Sequence, residues 1–152
     1  MSTTDLSQFY INGRWVAPSG RDTLDIVNPA TEESVAVLAM GDASDVDTAV
    51  AAAKAARPAF ATTTKPERRA LLERILDVFS RRIDEMAQAI SIEMGAPISF
   101  AREQQAQVGV DILTAMVADL EAFAFEHTLP NGDLIVMEPV GVCGLITPWN
   151  WP

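Results

Sequence analysis

The stretch Glu138-Pro139-Val140-Gly141-Val142-Cys143-Gly144-Leu145-Ile146-Thr147-Pro148-Trp149-Asn150-Trp151-Pro152 decides the fold class. Residues 140–146 form a short apolar run bounded by Pro139 and Pro148, which predicts a buried strand. A strand apolar on both faces suits a sheet covered on both sides, so the chain reads as α/β. Gly141 and Gly144 leave room for another backbone or a flat ligand to approach. The run then breaks into a rigid aromatic loop around a single amide, Asn150. In open α/β sheets, ligands collect beyond the carboxyl ends of the strands, where this loop would lie. An Asn side-chain N–H held in a dry aromatic setting can donate to an oxygen that gains negative charge. On residue chemistry alone, a turn role in which Asn150 bonds its own backbone competes with that one.

Outward from this stretch, 152 residues suffice for one domain with a core, and 49% hydrophobic content points to a globular chain. Acidic residues outnumber basic ones 21 to 11, for a net charge of −10. Such a surface repels phosphate backbones and anionic membranes, so neither nucleic acid nor membrane is an expected partner. No apolar run approaches the roughly 20 residues that span a bilayer. Met1-Ser2-Thr3-Thr4-Asp5 shows no secretory pattern, and one cysteine excludes an internal disulfide; a reducing cytoplasm is the expected location. One His and one Cys cannot build a four-ligand zinc site of the usual kind.

Near the start, Asn12-Gly13 between Phe9-Tyr10-Ile11 and Arg14-Trp15-Val16 predicts a tight hairpin. Residues 23–27 and 33–39 predict further strands, together an antiparallel N-terminal meander. Several long helices follow. Ser44, with Asp47 three residues on, suggests a helix cap, and Pro58 suggests that helix's end. Thr64-Lys65-Pro66-Glu67 opens a second helix with Leu71, Leu72, Ile75, Leu76, Phe79 and Ile83 on one face. A restart at Asp84 running to Met94, or one kinked helix, fits equally, with Gly95 as terminator. Residues 99–126 predict one longer helix, its buried stripe Val108, Ile112, Met116, Leu120 and Phe123, with Met116 as core filler. The pairs Arg68-Arg69 and Arg81-Arg82 read as solvated surface. Asn131-Gly132 then turns into a strand at residues 134–137. Cys143 reads as buried and inert within its apolar strand, and His127 as a helix-end residue. Neither a Gly-x-Gly-x-x-Gly stretch nor a P-loop is present.

Glu138-Pro139-Val140-Gly141-Val142, followed by Ile146, Pro148-Trp149-Asn150, the aromatic Trp151 and Pro152, resembles the signature of the NAD(P)-dependent aldehyde dehydrogenase superfamily. The order of hairpin, Asn28-Pro29-Ala30-Thr31-Glu32-Glu33 and strand is similar to the start of those enzymes. The resemblance runs from Phe9 to Pro152 and implies the N-terminal part of a Rossmann-type cofactor domain, with residues of about 128–142 leaving to join oligomerisation strands. It implies that Asn150 helps form an oxyanion hole and that the backbone of Ile146, Thr147, Pro148, Trp149 and Asn150 lies along the nicotinamide of NAD or NADP. Trp151, where the family usually has Phe, would face the aldehyde tunnel and narrow it. Glu93, before Gly95-Ala96-Pro97, would hold a monovalent cation with backbone near Ile26 and Val27; an ordinary last-turn role for Glu93 competes.

The implied complete enzyme oxidises an aldehyde to a carboxylic acid as a homodimer or homotetramer. Its nucleophilic Cys and general-base Glu would lie downstream, so the 152-residue chain alone is expected to be inactive. A related acyl-thioester-forming enzyme shares the fold but fits the Pro148-Trp149-Asn150 run less well. The rival from another class is a non-catalytic module that pairs with a full-length relative. A terminus at Trp-Asn-Trp-Pro, directly after a core strand, favours a longer enzyme over that module.

Overall fold

Asn12 and Gly13 take positive φ angles of 53° and 76° and join β1 (Phe9–Ile11) to β2 (Arg14–Val16) as an antiparallel hairpin. The structure, a computed structural model, describes residues 6–151. The readings that rest on Met1–Asp5 and on Pro152 lie outside the described residues. β3 (Thr23–Asn28) and β4 (Glu33–Ala39) form a second antiparallel pair, with a register shift between Ile26 and Val27. The two pairs are separate sheets, so two hairpins stand in place of the expected single meander. Between the two pairs, residues 17–22 carry Ser19, which bonds Asp45 at the start of the first helix.

That helix, α1 (Ala43–Ala61), is capped by Asp42 and not by Ser44. The Asp42 carboxylate accepts from the Ser44 and Asp45 backbone N–H groups, and Asp45 accepts in return from the Asp42 N–H at 3.0 Å. Ser44 and Asp42 each stand three residues before an aspartate. A distant contact separates them, because the Asp45 Oδ1 also accepts from the Ser19 N–H and hydroxyl, both at 2.9 Å. Pro58 lies inside α1, near its end, where it removes one backbone donor and the helix still runs to Ala61.

These bonds make the helix start sensitive to acid. Donation from the Ser44 hydroxyl first, and from the Asp45 N–H next, lowers the Asp42 pKa; the Asp42 N–H, then Ser19, lowers that of Asp45. A carboxylate with a lowered folded pKa stabilises fully above its ordinary range and loses that contribution as pH falls through the folded value. Asp45→Asn is therefore expected to lower Tm at neutral pH, with the gap from wild type closing below about pH 4. A gap of constant size in circular-dichroism melts across that window would refute the linkage.

α2 (Lys65–Arg81) opens on the expected capping box of Thr64 and Glu67. Arg82 leaves helical angles (φ −107°, ψ 15°), so α3 (Ile83–Met94) is a separate helix. It ends on Gly95 at φ 77°, whose N–H bonds the Ser91 carbonyl at 3.0 Å. The predicted α2 stripe is half-buried except at Ile75, which is exposed.

The single helix expected over residues 99–126 is instead three pieces and ends early. α4 (Ile98–Phe100) passes through a π turn (Ala101–Ala106) into α5 (Gln107–Ala122). Lys65 Nζ donates to the carbonyls of Glu121 and Phe123 and closes α5 there. Phe123 then turns extended and meets Phe125 edge to face at 4.9 Å, while the Arg68 guanidinium covers the Phe125 ring at 5.3 Å. Arg68 is thus a half-buried clasp, whereas Arg81 and Arg82 make the exposed ion pairs expected of helix surface. β5 (Glu126–Thr128) pairs antiparallel with β6 (Leu134–Val136). His127 consequently sits opposite Ile135 in a strand and caps no helix.

α5 packs on α2 through Gly109, whose missing Cβ makes room for the Phe79 ring. Leu113, Val117 and Leu120 are half-buried, but Val108, Ile112, Met116 and Phe123 are exposed. Periodicity marked the apolar sector of α5; its partner α2 covers only one edge of it, so Met116 is not core filler here. The buried core is small and lies between α3 and the π turn: Ala87, Ile90, Ala96, Ala101 and Ala106, with Ile83 and Met94 against it.

Residues 140–146 form no strand and pair with no described strand. Leu145 is 89% and Ile146 98% exposed, and Cys143 is exposed as well, contrary to the expected burial. The apolar pattern calls for a neighbour on each edge and cover on each face, and the described residues supply none of these. No helix among the described residues is long and apolar enough to cross a membrane.

Candidate functional site

The aromatic loop rests on the π turn. Gln105, at 7% exposure, donates from Nε2 to the Asn150 carbonyl at 2.8 Å and approaches Met94 Sδ at 3.3 Å. One residue on, the Trp151 ring meets Phe100 edge to face at 6.3 Å. The Asn150–Trp151 backbone is therefore pinned on both sides by residues of a single helical segment. Pro148 and the turn at Trp149–Asn150 shape the approach to that seat.

The side chains of the loop face outward. Trp149 is 82% exposed, and Ile146, Thr147, Pro148 and Asn150 are exposed with it. Among the described residues no hydrogen bond holds the Asn150 carboxamide, so its N–H groups are available as donors. The enclosed, dry aromatic setting expected from sequence is absent, because nothing described lies over the loop. Residues 146–151 thus come together as one open, apolar and aromatic wall with a free amide.

The other candidates lie elsewhere. Glu93 is exposed in the last turn of α3, and Ile26 is half-buried in β3, a strand against which α3 packs. Among the described residues no group of three or more His, Cys, Asp or Glu gathers to hold a metal. The Cys143 thiol donates to the Gly141 carbonyl at 3.9 Å. Sequence reasoning missed Gln105. The signal was its four-residue spacing from Ala101 and Gly109, which places a polar side chain on the packed face.

Known proteins match this arrangement. The family model described as the aldehyde dehydrogenase family matches residues 15–152. A 3-succinoylsemialdehyde-pyridine dehydrogenase from a Pseudomonas species is 42% identical over 149 residues, 97% of this chain and 31% of that protein. A mutant of aldehyde dehydrogenase C from Pseudomonas syringae, solved with NAD+ and octanal, superposes with a TM-score of 0.93 at 44% identity. That match covers 97% of this chain and 30% of the other. The aldehyde dehydrogenase of Bartonella henselae superposes with a TM-score of 0.80 at 38% identity, over 83% of this chain and 26% of that one. The chain spans about 31% of the length of the relative from the Pseudomonas species, corresponding to its N-terminal portion. With its hairpins, helices and aromatic loop matched together, this chain belongs to the aldehyde dehydrogenase family.

Proposed function

We propose that this chain is the N-terminal portion of an enzyme that oxidises an aldehyde to a carboxylic acid with NAD or NADP. The observation that carries this is the superposition of 97% of the chain on a relative solved with NAD+ and octanal. The residues present fit one end of such a cofactor. Ile146, Thr147, Pro148, Trp149 and Asn150 offer an exposed apolar and aromatic wall to a flat ring. No glycine-rich phosphate cradle accompanies them in the sequence, so the pyrophosphate must be held elsewhere. When bound, the cofactor supplies a hydride acceptor.

The chain's own contribution is electrostatic and steric. The Asn150 side-chain N–H donates to the aldehyde oxygen as attack by a thiolate places negative charge on it. Its backbone is held by Gln105, which fixes the point from which the side-chain amide reaches the oxygen. Trp151 borders the substrate path and limits the bulk of the aldehyde. The nucleophile and the base lie in the part of the enzyme that this chain does not span. The same reading assigns residues of about 128–142, β6 among them, to strands that join subunits of a homodimer or homotetramer. It also assigns Glu93 and the backbone near Ile26 to a monovalent cation, supported by the packing of α3 on β3.

The test compares the complete gene product with the purified 152-residue chain, following NAD(P)H formation with a straight-chain aldehyde. Turnover by the complete product and none by the chain is the expected result. Turnover by the chain alone overturns the assignment of roles. A complete product that never reduces NAD(P)+ overturns the activity and favours a non-catalytic partner of a related enzyme.

A further inference from the structure

We propose that Gln105 is a positioning residue that sets the placement of the Asn150 amide. The inference rests on the oxyanion role proposed for Asn150. Three observations support it. First, Gln105 is nine-tenths buried beside Ala101 and Ala106, and its Oε1 has no hydrogen-bond partner among the described residues. An unbranched apolar side chain of similar length would fill the same space without leaving a buried acceptor unmet. What the carboxamide adds is its bond to the Asn150 carbonyl at 2.8 Å. Turning the amide over would set two oxygens face to face, so the donor must be the group aimed at Asn150.

Second, Gln105 is presented by the π turn Ala101–Ala106. Such a turn opens the helical ladder by one residue, and turns of this kind recur at functional sites. Third, the Phe100–Trp151 edge contact flanks the same peptide, so the loop has two anchors, one polar and one aromatic. Together they fix the backbone on which the unbonded Asn150 side chain stands. A donor that must meet a developing charge depends on such placement, because small displacements weaken it steeply.

Two experiments test this. In the 152-residue chain, Gln105→Met is expected to shift the Asn150 carbonyl carbon resonance upfield, with the resonances of α5 unmoved. No shift at Asn150 overturns the clamp. In the complete enzyme, Gln105→Met is expected to lower kcat roughly 10-fold while the KM for NAD(P)+ stays within about 2-fold. The same substitution made in an Asn150→Ala background is expected to change kcat by less than about 2-fold, because its effect runs through Asn150. Equal losses in both backgrounds mean that Gln105 serves packing alone, and the inference fails. If Asn150→Ala by itself leaves kcat intact, the oxyanion role is what has failed, and the inference falls with it. Should Gln105→Met not fold, Gln105→Leu also removes the donor and is read by the same criteria.

Discussion

Asn150→Ala in the complete enzyme is expected to lower kcat by about 10²–10³-fold, the usual cost of deleting one oxyanion donor. The KM for NAD(P)+ should change little, since the substitution removes an interaction made as charge develops and not in the resting complex. The stability of the 152-residue chain should be nearly untouched. The Asn150 side chain is exposed and makes no hydrogen bond among the described residues, and substitutions of that kind fall within roughly ±0.5 kcal/mol. A large kinetic loss with an unchanged Tm thus separates chemistry from folding. Asn150→Asp sharpens the comparison, because an ionised carboxylate has the same shape, accepts only, and repels an oxyanion. A kcat within about 2-fold of wild type for Asn150→Ala would remove the oxyanion role.

Gly95→Ala is expected to destabilise the chain by about 2–5 kcal/mol, the sum of a left-handed backbone at a non-glycine residue and overpacking. Gly95 sits at φ 77°, and a Cβ built there would lie 2.6 Å from Pro29 Cγ. The residue therefore does two jobs: it ends α3 and lets that helix end settle on the loop after β3. Gly132 supplies the control. Its φ is 93°, but a Cβ there meets nothing within 4 Å, so Gly132→Ala should show only the backbone part, about 1–2 kcal/mol. Urea midpoints of the two variants measure the difference. Equal shifts would mean that Pro29 moves aside and that the contact contributes nothing.

Several features were legible because they are settled within a few residues. Asn12-Gly13 needs only its own positive φ angles, and Thr64 with Glu67 completes a capping box within one turn. Gly95 ends α3 by a bond to Ser91, four residues back. The family was legible for a similar reason, since the run from Glu138 to Pro152 is long and ordered. The α1 cap was not legible, because Asp42 and Ser44 both satisfy the local pattern. Ser19, distant in sequence, decides between them through Asp45.

The sequence by itself determined that this is an α/β chain of the aldehyde dehydrogenase family, with a distinctive asparagine in an aromatic loop. It also determined the start of α2, the C-terminal end of α3 and the first hairpin turn. Only the tertiary structure decided that α5 uses one edge of its apolar sector, that residues 123–128 leave the helix for a strand, and that Cys143 is exposed. Only it brought Gln105 to Asn150, 45 residues away. Caps, turns and periodicity are set by neighbours along the chain, so they can be read from it. Which face is covered, and which buried amide meets which carbonyl, depends on partners that local pattern does not name.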